Sequence, residues 1–290
     1  VDASISWTQM GGADVLCFSG DFDKTRALEA ASLHSLAYLI FEMREDGALA
    51  VAGGRKMAEL GEDVSGILKY KGKTNEAFTR CLIHFSVCSG AFAQDAELSL
   101  IDPMCGRGTT LFEAANLGYD ATGADMDTRE LDEGARFFKK YLEYHRVKHQ
   151  MQSASLSIAG ERAVPVKKTL YGTAGRFLSF AYADAARACR ALGEKRFHGA
   201  VFDMPYGVQH APGGKASFEA LLDQTLPALR KSLLPGGAVA FSFNTYTLKP
   251  ETARQALRRA GFTVMECGPY EDDTHWVEQA IVRDIAVGIR

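Results

Sequence analysis

From about residue 76 to its C-terminus the chain repeats one pattern. A short apolar run ends in a turn, and a longer stretch with apolar residues at helical spacing follows. Leu98–Ile101, Tyr119–Gly123, Phe177–Ala183, His198–Phe202 and Ala238–Phe243 read as strands. Glu76–Ala91, Thr109–Leu117, about Arg129 to His149, Asp184–Leu192, Phe218–Leu234 and Glu251–Ala260 read as helices. Strands that alternate with helices predict an α/β fold, with a mostly parallel sheet covered on both faces. Phe262–Cys267 and Gln279–Ile289 follow each other without a helix between them, which predicts a seven-stranded sheet with an antiparallel last strand. Residues 153–173 read as an inserted hairpin.

The first 70 residues do not follow this pattern and are expected to form a small N-terminal lobe, leaving 71–290 as the main domain. In the lobe, Asp14–Gly20 reads as a strand, Lys24–Met43 as one helix, and 45–66 as a Gly- and acid-rich loop region with a strand at best. It holds eleven acids against six Lys/Arg. The stretch 136–168 has the opposite balance, with Arg136, Lys139, Lys140, Arg146, Lys148, Arg162, Lys167 and Lys168 against Glu143 and Glu161. That stretch is either a solvated surface or a phosphate-contacting patch. The overall charge of −3 argues mildly against unaided gripping of nucleic acid.

No apolar run reaches membrane-spanning length, and the opening VDASISWTQMGG lacks the features of a secretory signal. The six cysteines form no C-x-x-C pair, so neither a metal site nor a disulfide framework is expected. The expectation is a cytoplasmic protein with reduced thiols.

The loop after the first strand of the main domain is Ile101-Asp102-Pro103-Met104-Cys105-Gly106-Arg107-Gly108-Thr109-Thr110. Gly106 and Gly108 allow a tight turn and close approach of a ligand to the backbone, at the carboxyl-end crevice of an open α/β sheet. Asp125 ends the next strand, 23 residues after Asp102, where an acid can accept hydrogen bonds from ribose hydroxyls. The third glycine of a dinucleotide fingerprint is replaced by Leu111, and no G-x-x-x-x-G-K-[ST] exists to cradle phosphates. A ligand with a ribose and a positively charged tail, but no phosphate, fits best: S-adenosylmethionine. Asp125 and Asp184 could each instead be a helix N-cap.

The run Asp102 to Thr110 resembles the D-P-x-C-G-S/R-G-T-T loop of Rossmann-like, S-adenosylmethionine-dependent methyltransferases that modify exocyclic amino groups, above all the tRNA and rRNA guanine-N2 methyltransferases. Thr122-Gly123-Ala124-Asp125-Met126-Asp127 resembles their G-x-D-I-D segment, and Asp203-Met204-Pro205-Tyr206 their D/N-P-P-Y/F. The resemblance covers about residues 70–290. It implies that Asp102 faces the methionine amino group, while Gly106, Gly108 and the backbone around Met104, Cys105, Thr109 and Thr110 line the methionine part. It further implies that Asp125 binds the ribose, Met126 packs on the adenine, and Asp184 and Ala185 lie at its amino group. Thr74 and Asn75 fall where a segment caps the methionine carboxylate. Asp203 and the carbonyl of Met204 would hold the target amine, Pro205 would keep residue 204 extended, and Tyr206 would stack on the target ring. Met204 stands where the family carries proline, which leaves the substrate more open than the reaction. Lys167, Lys168 and His210 are candidate substrate contacts, although His210 also reads as a surface residue. Trp276 reads as a core anchor.

The resemblance thus predicts an N-methyltransferase acting on guanine N2 in structured RNA such as tRNA or rRNA, with no metal and no membrane partner. Two alternatives stand beside it. One is an amino-methyltransferase for DNA bases, a small metabolite or a peptide amine; the other is a non-catalytic S-adenosylmethionine-binding partner subunit.

Overall fold

A computed structural model describes residues 4–10, 12–33, 39–54, 60–61, 64–70, 73–93, 95, 97–205, 218–271 and 274–290. The chain divides into two compact units, Val1–Met57 and Ala58–Arg290.

The smaller unit contains two antiparallel hairpins and a helix. Strands β1 (Ser4–Met10) and β2 (Ala13–Ser19) pair across Gly12, whose φ of +84° suits glycine. Helix α1 (Lys24–Leu33) follows, then β3 (Leu39–Met43) and β4 (Leu49–Gly54). The single helix expected over 24–43 is therefore corrected: its last five residues are a strand. LIFEM suits either structure by composition, and the Asp46-Gly47 turn, with Gly47 at φ +80°, folds it onto LAVAGG. None of the described residues of this unit is buried.

The larger unit begins with α2 (Val64–Ile67) and α3 (Glu76–Ser89). It continues through β5 (Ser99–Asp102), α4 (Thr109–Asn116), β6 (Asp120–Asp125), α5 (Thr128–Tyr144), β7 (His149–Leu156), β8 (Val164–Tyr171) and β9 (Arg176–Tyr182). The second half holds α6 (Ala185–Leu192), β10 (Phe197–Asp203), α7 (Phe218–Ser232), β11 (Leu233–Asn244), α8 (Pro250–Arg259), β12 (Thr263–Met265), β13 (His275–Glu278) and β14 (Ile281–Ile289). Leu60 and Val64 are buried in its core, so the stretch just before α3 packs with this unit.

The sheet runs β12-β14-β11-β10-β5-β6-β9-β8-β7, with β13 paired to β14. The five central strands are parallel, and the strands at both ends are antiparallel. This is the expected α/β architecture with ten strands rather than seven. The hairpin β7–β8 is not an excursion from the sheet but its continuation beyond β9. It can begin at His149 because α5 stops at Tyr144, followed by Arg146 at φ +56°. Likewise, α7 ends two residues early because Leu233 pairs with Phe197 of β10.

The core lies on both faces of the parallel strands. Phe202 and Phe241, neighbours in register on β10 and β11, stack with centroids 4.9 Å apart. Gly199 lets α3 approach β10 closely, since a Cβ there would meet the Ser86 hydroxyl at 2.5 Å. Because β5 is flanked by β6 on one side and β10 on the other, the chain reverses direction across the sheet at β5. The carboxyl ends of β5, β6 and β10, where Asp102, Asp125 and Asp203 sit, surround that switch point, the position where open α/β sheets form a crevice.

Candidate active site

The glycine loop is built by backbone geometry. Gly106 (φ +51°) and Gly108 (φ +92°) occupy left-handed conformations. The Cys105 N–H donates to the Ala124 carbonyl at 2.9 Å, and the Gly108 N–H to the Cys105 carbonyl at 2.8 Å. Gly123 leaves room for the loop, as a Cβ there would meet the Cys105 sulfur at 2.5 Å. Gly134 of α5 does the same from the other side: its Cβ would lie 2.3 Å from the Arg107 carbonyl oxygen. Arg107 is held at 2.7 Å from both Glu130 and Glu133, with its guanidinium 4.7 Å from the centre of the Tyr70 ring. The Tyr70 hydroxyl and Thr109 Oγ1 are 3.0 Å apart. Sequence reasoning passed over Tyr70, whose only signal was a place in the segment before α3.

Asp125 closes the loop. Its Oδ2 accepts from the Gly106 N–H and its Oδ1 from the Asp127 N–H, both at 2.9 Å. The N-cap of α5 is Asp127, not Asp125. Asp184 does cap its helix, accepting from the Arg187 N–H at 2.9 Å, and Ala185 begins α6. Met126 is 57% exposed beside Asp125. Asp102 is buried and accepts from the Met104 N–H at 2.9 Å and from the Thr110 side chain. Burial pushes its carboxyl up to about 7, and the negative charges of Asp125 and Asp203 add to that. Cys105 is also buried, and its thiol is pushed well above the ordinary range, which makes it inert as a nucleophile.

Asp203 ends β10 and is held from three directions. The Thr74 hydroxyl donates to Oδ2 at 2.5 Å, the Ser242 hydroxyl donates to Oδ1, and Arg283 Nη2 lies 3.4 Å from Oδ2. Thr74 thus belongs with Asp203, while Asn75 is the N-cap of α3, accepting from the Ala77 and Phe78 N–H groups. Met204 is 2% exposed, and its N–H donates to the Ser242 carbonyl at 2.9 Å. Pro205 is the last described residue of this segment. Tyr206 and His210 lie outside the described residues. Ser242 and Arg283 were not anticipated. Arg283 did leave a signal, a charged residue within the apolar strand IVRDIAVGI.

Lys167 and Lys168 are not gathered with Asp203. Their strand, β8, is four strands from β10, roughly 19 Å at ordinary strand spacing. Lys167 pairs with Asp132 at 2.7 Å, and Lys168 lies 3.7 Å from the centre of the Phe177 ring. The expectation for Trp276 is corrected: it is 71% exposed on β13, a strand at the sheet margin.

The arrangement offers a backbone cradle, two strand-end acids beside it, and a third acid held rigidly on the neighbouring strand. The residues fit S-adenosylmethionine on one observation in particular. Asp102 is a buried carboxyl whose hydrogen-bond donors are neutral, and an ammonium group would offset the cost of its ionisation.

A family model described as UPF0020: RMKL-like, methyltransferase domain, matches residues 71–267, more than half of the chain. No curated protein sequence matches the chain. Among solved structures, it is similar to TrmN from Thermus thermophilus, at 17% identity and a TM-score of 0.47 over 88% of this chain and 60% of that one. It is also similar to the rRNA methyltransferase AviRa from Streptomyces viridochromogenes, at 13% identity and a TM-score of 0.47 over 79% of this chain and 91% of that one. A third is magnesium protoporphyrin IX methyltransferase (ChlM) from Synechocystis PCC 6803 with bound SAH, at 15% identity and a TM-score of 0.45 over 79% and 93% of the two chains. The chain spans less than two thirds of the TrmN chain.

Proposed function

The chain belongs to the RMKL-like methyltransferase-domain family, UPF0020, and from that premise we propose that this S-adenosylmethionine-dependent methyltransferase acts on an exocyclic amino nitrogen, guanine N2 in structured RNA such as tRNA or rRNA. The observation that carries the amino nitrogen is Asp203, a carboxylate oriented by Thr74 and Ser242, with the Met204 carbonyl next to it in the chain.

S-adenosylmethionine supplies an electrophilic methyl group on sulfur. Asp102 would receive its ammonium, the backbone of Gly106 and Gly108 would line the methionine part, and Asp125 would receive the ribose. Met126 and Asp184 would meet the adenine. Thr74 and Asn75 would cap the methionine carboxylate; Thr74 also bonds Asp203, and Asn75 also caps α3.

An exocyclic amine is a poor nucleophile because its lone pair is delocalised into the ring. Asp203 and the Met204 carbonyl would each accept one of its N–H bonds, which turns the lone pair out of the ring plane. The Asp203 carboxylate also stabilises the positive charge that develops on nitrogen. The proton leaves after transfer, so no strong base is required beforehand. The ring of Tyr206 is the expected stacking partner for the target base.

Two features support RNA. The sequence resemblance is to RNA enzymes, and the exposed cations Arg136, Lys139, Lys140, Arg146 and Lys148 give the α5 side a basic character. The test is tritiated-methyl transfer to separate pools of tRNA, rRNA, DNA and small amines, followed by nucleoside digestion. Label in N2-methylguanosine is the expected result. Label confined to DNA or small amines would overturn the RNA assignment, and no label in any pool would overturn amino-methyl transfer itself.

A further inference from the structure

Arg283 enters the site from an unexpected direction. It lies on β14, the antiparallel strand beyond β11, and its register partner on β11 is Asn244. Asp203 lies on the other side of β11, with Ser242 as its register partner. Paired residues share a face of a sheet, and so do residues two apart on one strand. Asp203, Ser242, Asn244 and Arg283 therefore share one face. The guanidinium reaches over β11 to the same carboxylate that Ser242 bonds.

A buried arginine is costly unless it is paired and its geometry is good. Arg283 is 6% exposed. Its guanidinium lies 4.9 Å from the centre of the Phe78 ring, which leans on His275, the register partner of Arg283 on β13, at 4.8 Å. A planar guanidinium against a ring has little freedom to turn. Three donors from three separate elements thus fix the plane of the Asp203 carboxylate: Thr74 before α3, Ser242 on β11 and Arg283 on β14.

We propose that Arg283 is a positioning residue for methyl transfer, acting through Asp203 with Phe78 as its backing. This rests on the reading of Asp203 as the acceptor for the target amine. An acceptor that orients a lone pair must hold its own plane, because small angular errors at the reacting centre cost rate rather than binding. The guanidinium also balances the carboxylate's charge, so Asp203 serves as a directed hydrogen-bond acceptor within an ion pair.

The experiment compares wild type, Arg283→Met and Arg283→Lys in methyl transfer to whichever pool the wild type labels, with S-adenosylmethionine affinity measured by calorimetry. Arg283→Met should lower kcat by about tenfold to a hundredfold, with KM for the acceptor and Kd for S-adenosylmethionine unchanged. Arg283→Lys should recover part of the loss, since lysine keeps the charge but not the planar fork. Wild-type kcat in the Met variant overturns the proposal, as does a fall in S-adenosylmethionine affinity that matches the fall in rate. Should the Met variant not fold, Phe78→Leu removes the backing and leaves the ion pair. A few-fold fall in kcat at constant Kd supports the proposal there, and unchanged kcat overturns it. A wild-type protein that labels no pool refutes amino-methyl transfer; an active wild type with an equally active Arg283 variant refutes only the role of Arg283.

Discussion

Asp102 and Asp203 end neighbouring parallel strands, and each is followed within two residues by a proline and a methionine. Their surroundings differ. Asp102 is buried, accepts from one backbone N–H and the Thr110 side chain, and has its carboxyl pushed up to about 7. Asp203 is bonded by two hydroxyls and approached by a guanidinium. Equivalent positions at the end of a strand therefore give two different devices. A buried acid with neutral donors is suited to meeting a cation that arrives with a ligand. An acid already paired with a cation is suited to holding still.

The largest effect should come from the acid that holds still. Asp203→Asn should lower turnover by about a hundredfold or more while leaving S-adenosylmethionine affinity intact, as read by methyl transfer and calorimetry. Loss of cofactor binding in this variant would break the comparison, because both acids would then serve the same ligand.

Asp102→Asn should weaken S-adenosylmethionine binding by about tenfold or more, the worth of a charged hydrogen bond. Acidity sharpens the contrast. The folded Asp102 holds its proton up to about 7, against an ordinary value of 3.8. Between those values the folded state binds a proton that the unfolded state has lost. This group's contribution to ligand-free stability is thus fully present below about pH 4 and is lost as pH rises through about 7. Cofactor binding has the opposite dependence, since an ammonium prefers the ionised carboxylate. The rise in Tm caused by S-adenosylmethionine should grow between pH 6 and pH 8, and Asp102→Asn should flatten that dependence. An unchanged slope would remove Asp102 from the ammonium site.

The smallest effect is expected far from both acids. Replacing Lys167 and Lys168 together by alanine should weaken RNA binding by about threefold and flatten its salt dependence, without altering S-adenosylmethionine affinity. Each lysine already has a local partner, Asp132 or the Phe177 ring, which limits what it can give to a phosphate.

The parallel half of the fold was legible because its strands are continuous apolar runs between glycine turns, and burial on both faces demands that composition. Asp102, Asp125, Asp184 and Asp203 stood out because each follows such a run. The hairpins β1–β2 and β3–β4 were harder to read, as exposed strands carry no burial pattern. Trp276 misled for the same reason, a large ring on a marginal strand. Ser242 gave no local signal at all, and Thr74 was pointed to only by the family resemblance of its segment, not by any feature that ties it to Asp203. Their hydroxyls acquire a purpose only when tertiary structure brings them to Asp203, from 129 and 39 positions away.

Met204 carries a consequence for how freely this site can be exchanged with those of its relatives. Its N–H donates to Ser242, whose hydroxyl bonds Asp203, and its side chain is packed in the core with Phe202, Leu222 and Phe241. Proline, the residue that the family resemblance leads one to expect here, has no N–H to give and cannot fill that volume. Placing proline at position 204 would leave an orphaned carbonyl and a void together, so the two versions of the strand end are not interchangeable parts. Each is tied to its own neighbours, and a swap between relatives would have to carry those neighbours with it.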